Sequence, residues 1–164
     1  MKKGIIYSCL LLLLLVSQDL CQAQEVFTVE RVPFSTREYY EYAPFPYQGN
    51  IVFTAEKRIK FGKISTGDRN QFAANLFIVR PLGEDEWTEP AIFATELSDV
   101  NINHGWATFN ERGNRMYFTR NYDAGSKDAD AKAGIYYAGY AGGQWTGVQP
   151  FQYNDPDVNL IHPS

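Results

Sequence analysis

Asp99-Val100-Asn101-Ile102-Asn103-His104 returns, little changed, as Asp157-Val158-Asn159-Leu160-Ile161-His162. The two stretches stand 58 residues apart (157 − 99 = 58), and Trp87 and Trp145 keep the same spacing (145 − 87 = 58). One spacing shared by two separate landmarks marks a tandem repeat, and a long period is the signature of solenoids, propellers or arrays. The second copy runs into His162-Pro163-Ser164, which reads as the opening of a third. A repeat unit cannot bury its apolar faces alone, so the expectation is a fragment of a longer product.

Between the landmarks lie short apolar runs separated by Gly, Asn, Asp and Pro, the pattern of strands and turns. The clearest are Ile51–Thr54, Leu76–Val79, Met116–Thr119 and Ile135–Ala138. They are apolar at consecutive positions, and side chains on a strand alternate between faces, so both faces of these strands call for dry surroundings. Sheets stacked face to face on both sides meet that demand, as in blades around a propeller axis; a β-sandwich is the rival, and it leaves the repeat spacing unexplained. Gly49-Asn50 and Gly113-Asn114 precede the first run of each copy, and Gly142-Gly143 precedes Trp145. These residues tolerate the positive φ of tight turns. A third segment in each copy surrounds its tryptophan, and a fourth lies near Ala91–Thr95 and Val148–Tyr153.

The chain opens with Lys2-Lys3, a leucine-dominated run from Ile5 to Val16, and Cys21-Gln22-Ala23. That is the charged start, apolar centre and small-residue cleavage site of a secretory leader, with cleavage expected after Ala23. The apolar run is about a dozen residues, against roughly 20 needed to cross a bilayer. No transmembrane helix is therefore expected in the mature chain, and acylation of Cys21 is the other rival. Both cysteines, Cys9 and Cys21, fall in the leader, so core packing alone must hold the exported domain. The formal charge of -4 argues against a nucleic-acid partner, which requires a concentrated basic face.

His104 and His162, the only histidines, share the repeat spacing, which points to a structural role in each copy. No His-Glu-x-x-His or Cys-x-x-Cys spacing occurs. Asp123, Asp128 and Asp130 crowd one loop in the manner of a calcium site, but Lys127 and Lys132 oppose a cation there and the spacing is not that of an EF-hand. No catalytic, cofactor-binding or metal residue is nominated, and no cofactor is expected. The loop 56–75 carries Lys57, Arg58, Lys60, Lys63 and Arg69, whereas the loop 121–134 is mixed in charge. Both join the same pair of strands in their copies, both exceed ordinary hairpin length, and long loops often carry function. They suit recognition of an acidic glycan or a protein.

Gly113-Asn114-x-Met116-Tyr117-Phe118-Thr119, Gly134-Ile135-Tyr136-Tyr137, Gly142-Gly143-Gln144-Trp145 and Asp157-Val158-Asn159-x-x-His162-Pro163 together resemble the WD-like β-propeller repeats of the TolB type. Val32–Thr36, Glu41–Pro44 and Ile51–Thr54 are similar to the first such repeat in envelope proteins of Bacteroidetes-type bacteria. The resemblance covers Val32 to Ser164. It departs from the pattern at His104-Gly105-Trp106 and at Asn110-Glu111-Arg112-Gly113, where relatives carry His-Pro and Ser-Pro-Asp-Gly. The relatives often carry an OmpA-like peptidoglycan-binding region after the propeller; residues 1–164 hold none, so peptidoglycan binding is not carried over to them.

What the resemblance and the repeat together imply is an all-β partial β-propeller, about two four-stranded antiparallel blades with the start of a third. The expected divisions are a signal peptide 1–23, a lead-in 24–41, a first repeat 42–103, a second 104–161 and the stub 162–164. The expected role is a non-enzymatic binding or scaffold module of the bacterial envelope, in the periplasm or at the outer membrane, with self-association through open blade faces. The alternative is a fragment of a propeller hydrolase acting on glycans or peptides, its site on missing blades.

Overall fold

The computed structural model describes residues 27–56, 73–98, 102–122 and 132–164. The leader 1–23, residues 57–72 and 123–131 of the two long loops, and with them Asp123, Asp128 and Asp130, lie outside the described residues. The chain divides into two units, Met1–Arg31 and Val32–Ser164. Of the first, residues 27–31 are described and form neither strand nor helix.

The second unit is all β, with no helix among the described residues. Its strands are β1 (Glu41–Tyr47), β2 (Asn50–Ala55), β3 (Asn75–Val79), β4 (Ala91–Ile92), β5 (His104–Phe109), β6 (Arg115–Asn121), β7 (Ala133–Ala141) and β8 (Gln144–Pro150). They form two four-stranded antiparallel sheets in the orders β1-β2-β3-β4 and β5-β6-β7-β8, and neither sheet closes on itself. Gly49 and Gly113 stand at φ 77° and 66°, where the turns before β2 and β6 need the left-handed region.

The two sheets repeat each other in detail. Ile51↔Val79, Val52↔Ile78, Phe53↔Phe77 and Thr54↔Leu76 correspond to Met116↔Ala138, Tyr117↔Tyr137, Phe118↔Tyr136 and Thr119↔Ile135. The ladder between the first two strands slips once in each sheet, between Tyr42 and Phe45 and again between Gly105 and Ala107. A non-glycine residue with positive φ sits at each slip, Ala43 at 52° and Trp106 at 37°. This is the geometry of a bulge, which bends the strand and re-aims its side chains.

One strand boundary differs from the sequence expectation. The tryptophan segment and the segment after it make one line of pairing along the third strand. In the second sheet, Tyr140↔Trp145 and Tyr137↔Gln149 belong to β8. In the first sheet, Pro81 bridges Trp87 and Ile78 pairs with Ala91, with Thr88–Pro90 between them. Pro90 has no N–H to give the ladder, so the strand is broken there. The first strand of each sheet is instead Glu41–Tyr47 or His104–Phe109, whose mixed apolar and polar residues gave no run to read.

The sheets share one core. Tyr47, Val52, Leu76, Ile78 and Ala94 of the first half pack with Ala107, Met116, Phe118, Ala138 and Trp145 of the second. β5 lies against β1, β2 and β3. Met116 and Phe118 are fully buried, and each side chain of this kind contributes roughly 1.5–3 kcal/mol on removal from water. At one end Tyr47, Phe93, Phe109 and Trp145 meet, the closest pair being Tyr47 and Phe109 at 4.3 Å between centroids. The Glu96 carboxylate accepts the backbone N–H of Trp145 and fastens this end across the sheets.

The other face of the first sheet holds Phe53, Ala55, Phe77 and Val79, covered by Phe34 of the lead-in together with Trp87 and Ile92. Phe34 lies 5.7 Å from the Phe53 ring and 5.4 Å from Trp87. The first sheet is therefore dry on both sides, as its consecutive apolar runs demand. The outer face of the second sheet carries half-buried Tyr117, Ile135 and Tyr137.

Candidate functional site

The bulges create the most distinctive local arrangement. The backbone N–H of Trp106 donates to Thr54 Oγ1 at 3.1 Å, and that of His162 donates to Thr119 Oγ1 at 3.2 Å. Thr54 and Thr119 occupy corresponding ladder positions. His162 also has positive φ, 61°. Just before these residues, Asn103 Oδ1 accepts from Ala74 N and Asn159 Oδ1 from Ala133 N, both at 2.9 Å. His104 N donates to Ala74 O at 2.7 Å and Leu160 N to Ala133 O at 2.9 Å.

The tail Asn159–His162 thus lies on the second sheet as Asn103–Trp106 lies on the first. Its structural register differs from that of the sequence words. His162 takes the place of Trp106, and Leu160 that of His104. The two histidines are therefore not equivalent: His104 is buried with its ring 5.7 Å from Phe118, while His162 is exposed.

This register gathers three rings from distant parts of the chain. Tyr42 lies 5.0 Å from Trp106, and Trp106 lies 3.8 Å from His162. Trp106 keeps 36% of its surface exposed. A bulky residue in the left-handed region costs of order 1–3 kcal/mol and persists where its surroundings hold it; here the Thr54 bond does so. Burial raises the Tyr42 phenol to about 12, with the Glu56 carboxylate adding to the shift, so the ring presents a neutral hydroxyl over the ordinary pH range. Gly105 lies against the row, and a Cβ there would make ordinary contacts, 4.0 Å from the Tyr42 ring and 3.6 Å from Thr54 Cγ2.

The row lies at the end of the sheets from which the two long loops depart. Tyr42 pairs with Thr54 and Gly105 with Thr119, near the ends of β2 and β6. The roots of the second loop are tied by Tyr122 N to Lys132 O, 3.0 Å. Such an end offers stacking surface and a carboxylate at Glu56. The row itself was not singled out in the sequence, because its contacts span residues far apart and only the bulge aims them together.

Among the described residues no three His, Cys, Asp or Glu side chains group as metal ligands. Glu84, Asp85 and Glu86 form an exposed turn in which Leu82 N donates to Glu86 O at 2.7 Å. A separate cavity of about 480 Å³ opens beside the β5–β6 turn, lined by Asn110, Glu111, Arg115, Tyr117 and Gly139 among others. Compared with known proteins, the chain matches no family model, no curated protein and no solved structure.

Proposed function

We propose that the chain is a non-enzymatic binding module of the bacterial cell envelope, exported to the periplasm or outer membrane and built from β-propeller-type blades. Its partner is an envelope protein or a cell-wall glycan, met by the end that carries the loops 56–75 and 121–134. The repeated link from Thr54 to Trp106 and from Thr119 to His162 carries this reading. The first link ties the second strand of one sheet to the first strand of the next, the second ties the tail to β6, and between them they hold the half-exposed row of Tyr42, Trp106 and His162 near the roots of both loops. Aromatic side chains with a polar margin are enriched where proteins bind partners. The resemblance to TolB-type repeats supports the same role.

The test is co-sedimentation of the chain with purified cell-wall sacculi, run beside photo-crosslinking from the exposed position 40, at the root of the first loop, in envelope membranes. Retention on sacculi identifies a glycan partner, and a discrete crosslinked band a protein partner. Either should weaken when Lys57, Arg58 and Lys60 are replaced by Ser, and again in Trp106→Ala. Binding untouched by both changes would sink the proposal, as would release of soluble glycan or peptide fragments at a catalytic rate.

A further inference from the structure

The seam between the two sheets ends in ring surface where the first long loop departs. Val52 and Thr54 stand two residues apart on β2 and so lie on one side of it, and Val52 belongs to the core shared with the second sheet. Tyr42 is paired with Thr54, and Glu56 N donates to Tyr40 O at 3.0 Å. Residues opposite one another in an antiparallel pair face the same way. Tyr40, Tyr42, Thr54 and Glu56 therefore share the side that meets the second sheet. Trp106 arrives from that sheet, with its backbone N–H on Thr54 Oγ1.

The polar atoms here are of complementary kinds. The indole N–H of Trp106 only donates, the Tyr42 hydroxyl donates and accepts, and the Glu56 carboxylate only accepts. None of these groups makes a side-chain hydrogen bond or ion pair among the described residues, and neither Tyr42 nor Glu56 has its polar atoms sealed from solvent. Glu56 is near enough to raise the Tyr42 phenol. Tyr40 is 76% exposed and Trp106 36%. Tyr42 and His162 brace the indole from 5.0 and 3.8 Å, and its backbone is held at φ 37°. Strain of this kind, fixed by its surroundings, clusters at ligand sites. An anion would be repelled by Glu56. A cation would suit the rings and the carboxylate, but it would leave the N–H and O–H donors idle. A neutral polyol uses every group: its hydroxyls donate to the carboxylate and accept from the phenol and indole, while its C–H face lies on the rings.

We propose that Tyr40, Tyr42, Glu56 and Trp106 form a binding site for a neutral sugar unit of a glycan, its ring face against the aromatic side chains and its hydroxyls on the carboxylate, phenol and indole N–H. The site rests on the reading of this end as the one that meets a partner, and it commits that partner to carbohydrate at this point. All four residues belong to the first two sheets and the seam between them.

The test is titration of the full chain with neutral tetrasaccharides of glucose and of N-acetylglucosamine, read by tryptophan fluorescence and calorimetry, beside a galacturonate tetramer and tetralysine. At least one neutral sugar should bind and shift the tryptophan emission, and the acidic tetramer should bind more weakly. Tyr42→Phe should weaken binding roughly fivefold and Glu56→Ala roughly tenfold, and Trp106→Ala should abolish it. Should Trp106→Ala fail to fold, the other two variants decide, since neither removes a side-chain bond of the fold. No binding of either neutral sugar up to about 20 mM overturns the proposal, as does binding indifferent to both Tyr42→Phe and Glu56→Ala. Tighter binding of tetralysine, lost in Glu56→Ala, overturns it in favour of a cationic peptide. Retention on sacculi or a crosslinked protein without sugar binding overturns this site and leaves the envelope role standing; sugar binding with neither supports the site and removes only that role.

Discussion

Thr54 Oγ1 accepts the backbone N–H of Trp106 at 3.1 Å, so a side chain in the second strand of one sheet fixes the backbone of the first strand of the next. Thr119 and His162 repeat the bond in the same register. The hydroxyl meets an N–H that the bulge removes from the ladder, and it holds a residue in a backbone region that L side chains disfavour.

Replacing Thr54 with Val keeps the shape and deletes the acceptor. An unmet N–H in a partly buried place costs about 1–3 kcal/mol, so Thr54→Val should lower the unfolding free energy by that amount, read as a lower urea midpoint with an unchanged slope. Thr119→Val should cost less, because its partner belongs to the exposed tail. No loss in Thr54→Val would show that the link does not hold the sheets.

At position 106 the backbone favours glycine. Trp106→Gly and Trp106→Ala both remove the ring, but only the alanine keeps a Cβ at φ 37°. The glycine variant should therefore melt higher than the alanine one, by the equivalent of about 1 kcal/mol. The opposite order in matched thermal scans would contradict the left-handed assignment.

Gly134 and Gly139 lie on the same strand and should respond oppositely to alanine. A Cβ at Gly134 would stand 2.5 Å from the Tyr122 hydroxyl oxygen and 2.6 Å from its ring carbons, whereas one at Gly139 meets nothing within 4 Å. Gly134→Ala should cost about 1–3 kcal/mol by overpacking, and Gly139→Ala should be close to neutral. Adding Tyr122→Ala should return much of the loss at Gly134, a coupling that a double-mutant cycle in urea reads directly.

Tyr42 ties stability to high pH. Its phenol is raised from 10.0 in the unfolded chain to about 12 in the fold, first by burial and then by Glu56. Between those values the unfolded state has lost the proton that the folded state keeps. The contribution is thus full below pH 10.0 and falls as pH rises toward about 12. Tyr47 and Tyr122 are raised in the same direction, each chiefly by burial. Tyr42→Phe should accordingly reduce, and not erase, the alkaline fall in melting temperature. An unchanged slope in that window would remove Tyr42 from the account.

Much of the fold was legible in the chain. The runs Ile51–Thr54, Leu76–Val79, Met116–Thr119 and Ile135–Ala138 fall on β2, β3, β6 and β7, and the turns with Gly49 and Gly113 stand where expected. The first strands were not legible. Glu41–Tyr47 carries two prolines and a bulge, and His104–Phe109 mixes buried and exposed positions through another, so neither keeps a strand period. The candidate site was less legible still. His104 and His162 look equivalent by spacing, yet the row is built from Tyr42, Trp106 and His162.

Local patterning by itself determined that the described chain is β, where most of its turns fall, and that its units repeat. Those properties follow from backbone sterics and from burial along a few consecutive residues. Tertiary structure alone decided that Phe34 caps the first sheet, that Glu96 clasps Trp145, and that His162 stands with Trp106. Each joins segments distant in sequence, and a single slip in a ladder changes which side chains meet. The partners of such contacts are chosen by how whole sheets stack, and no short stretch of residues encodes that choice.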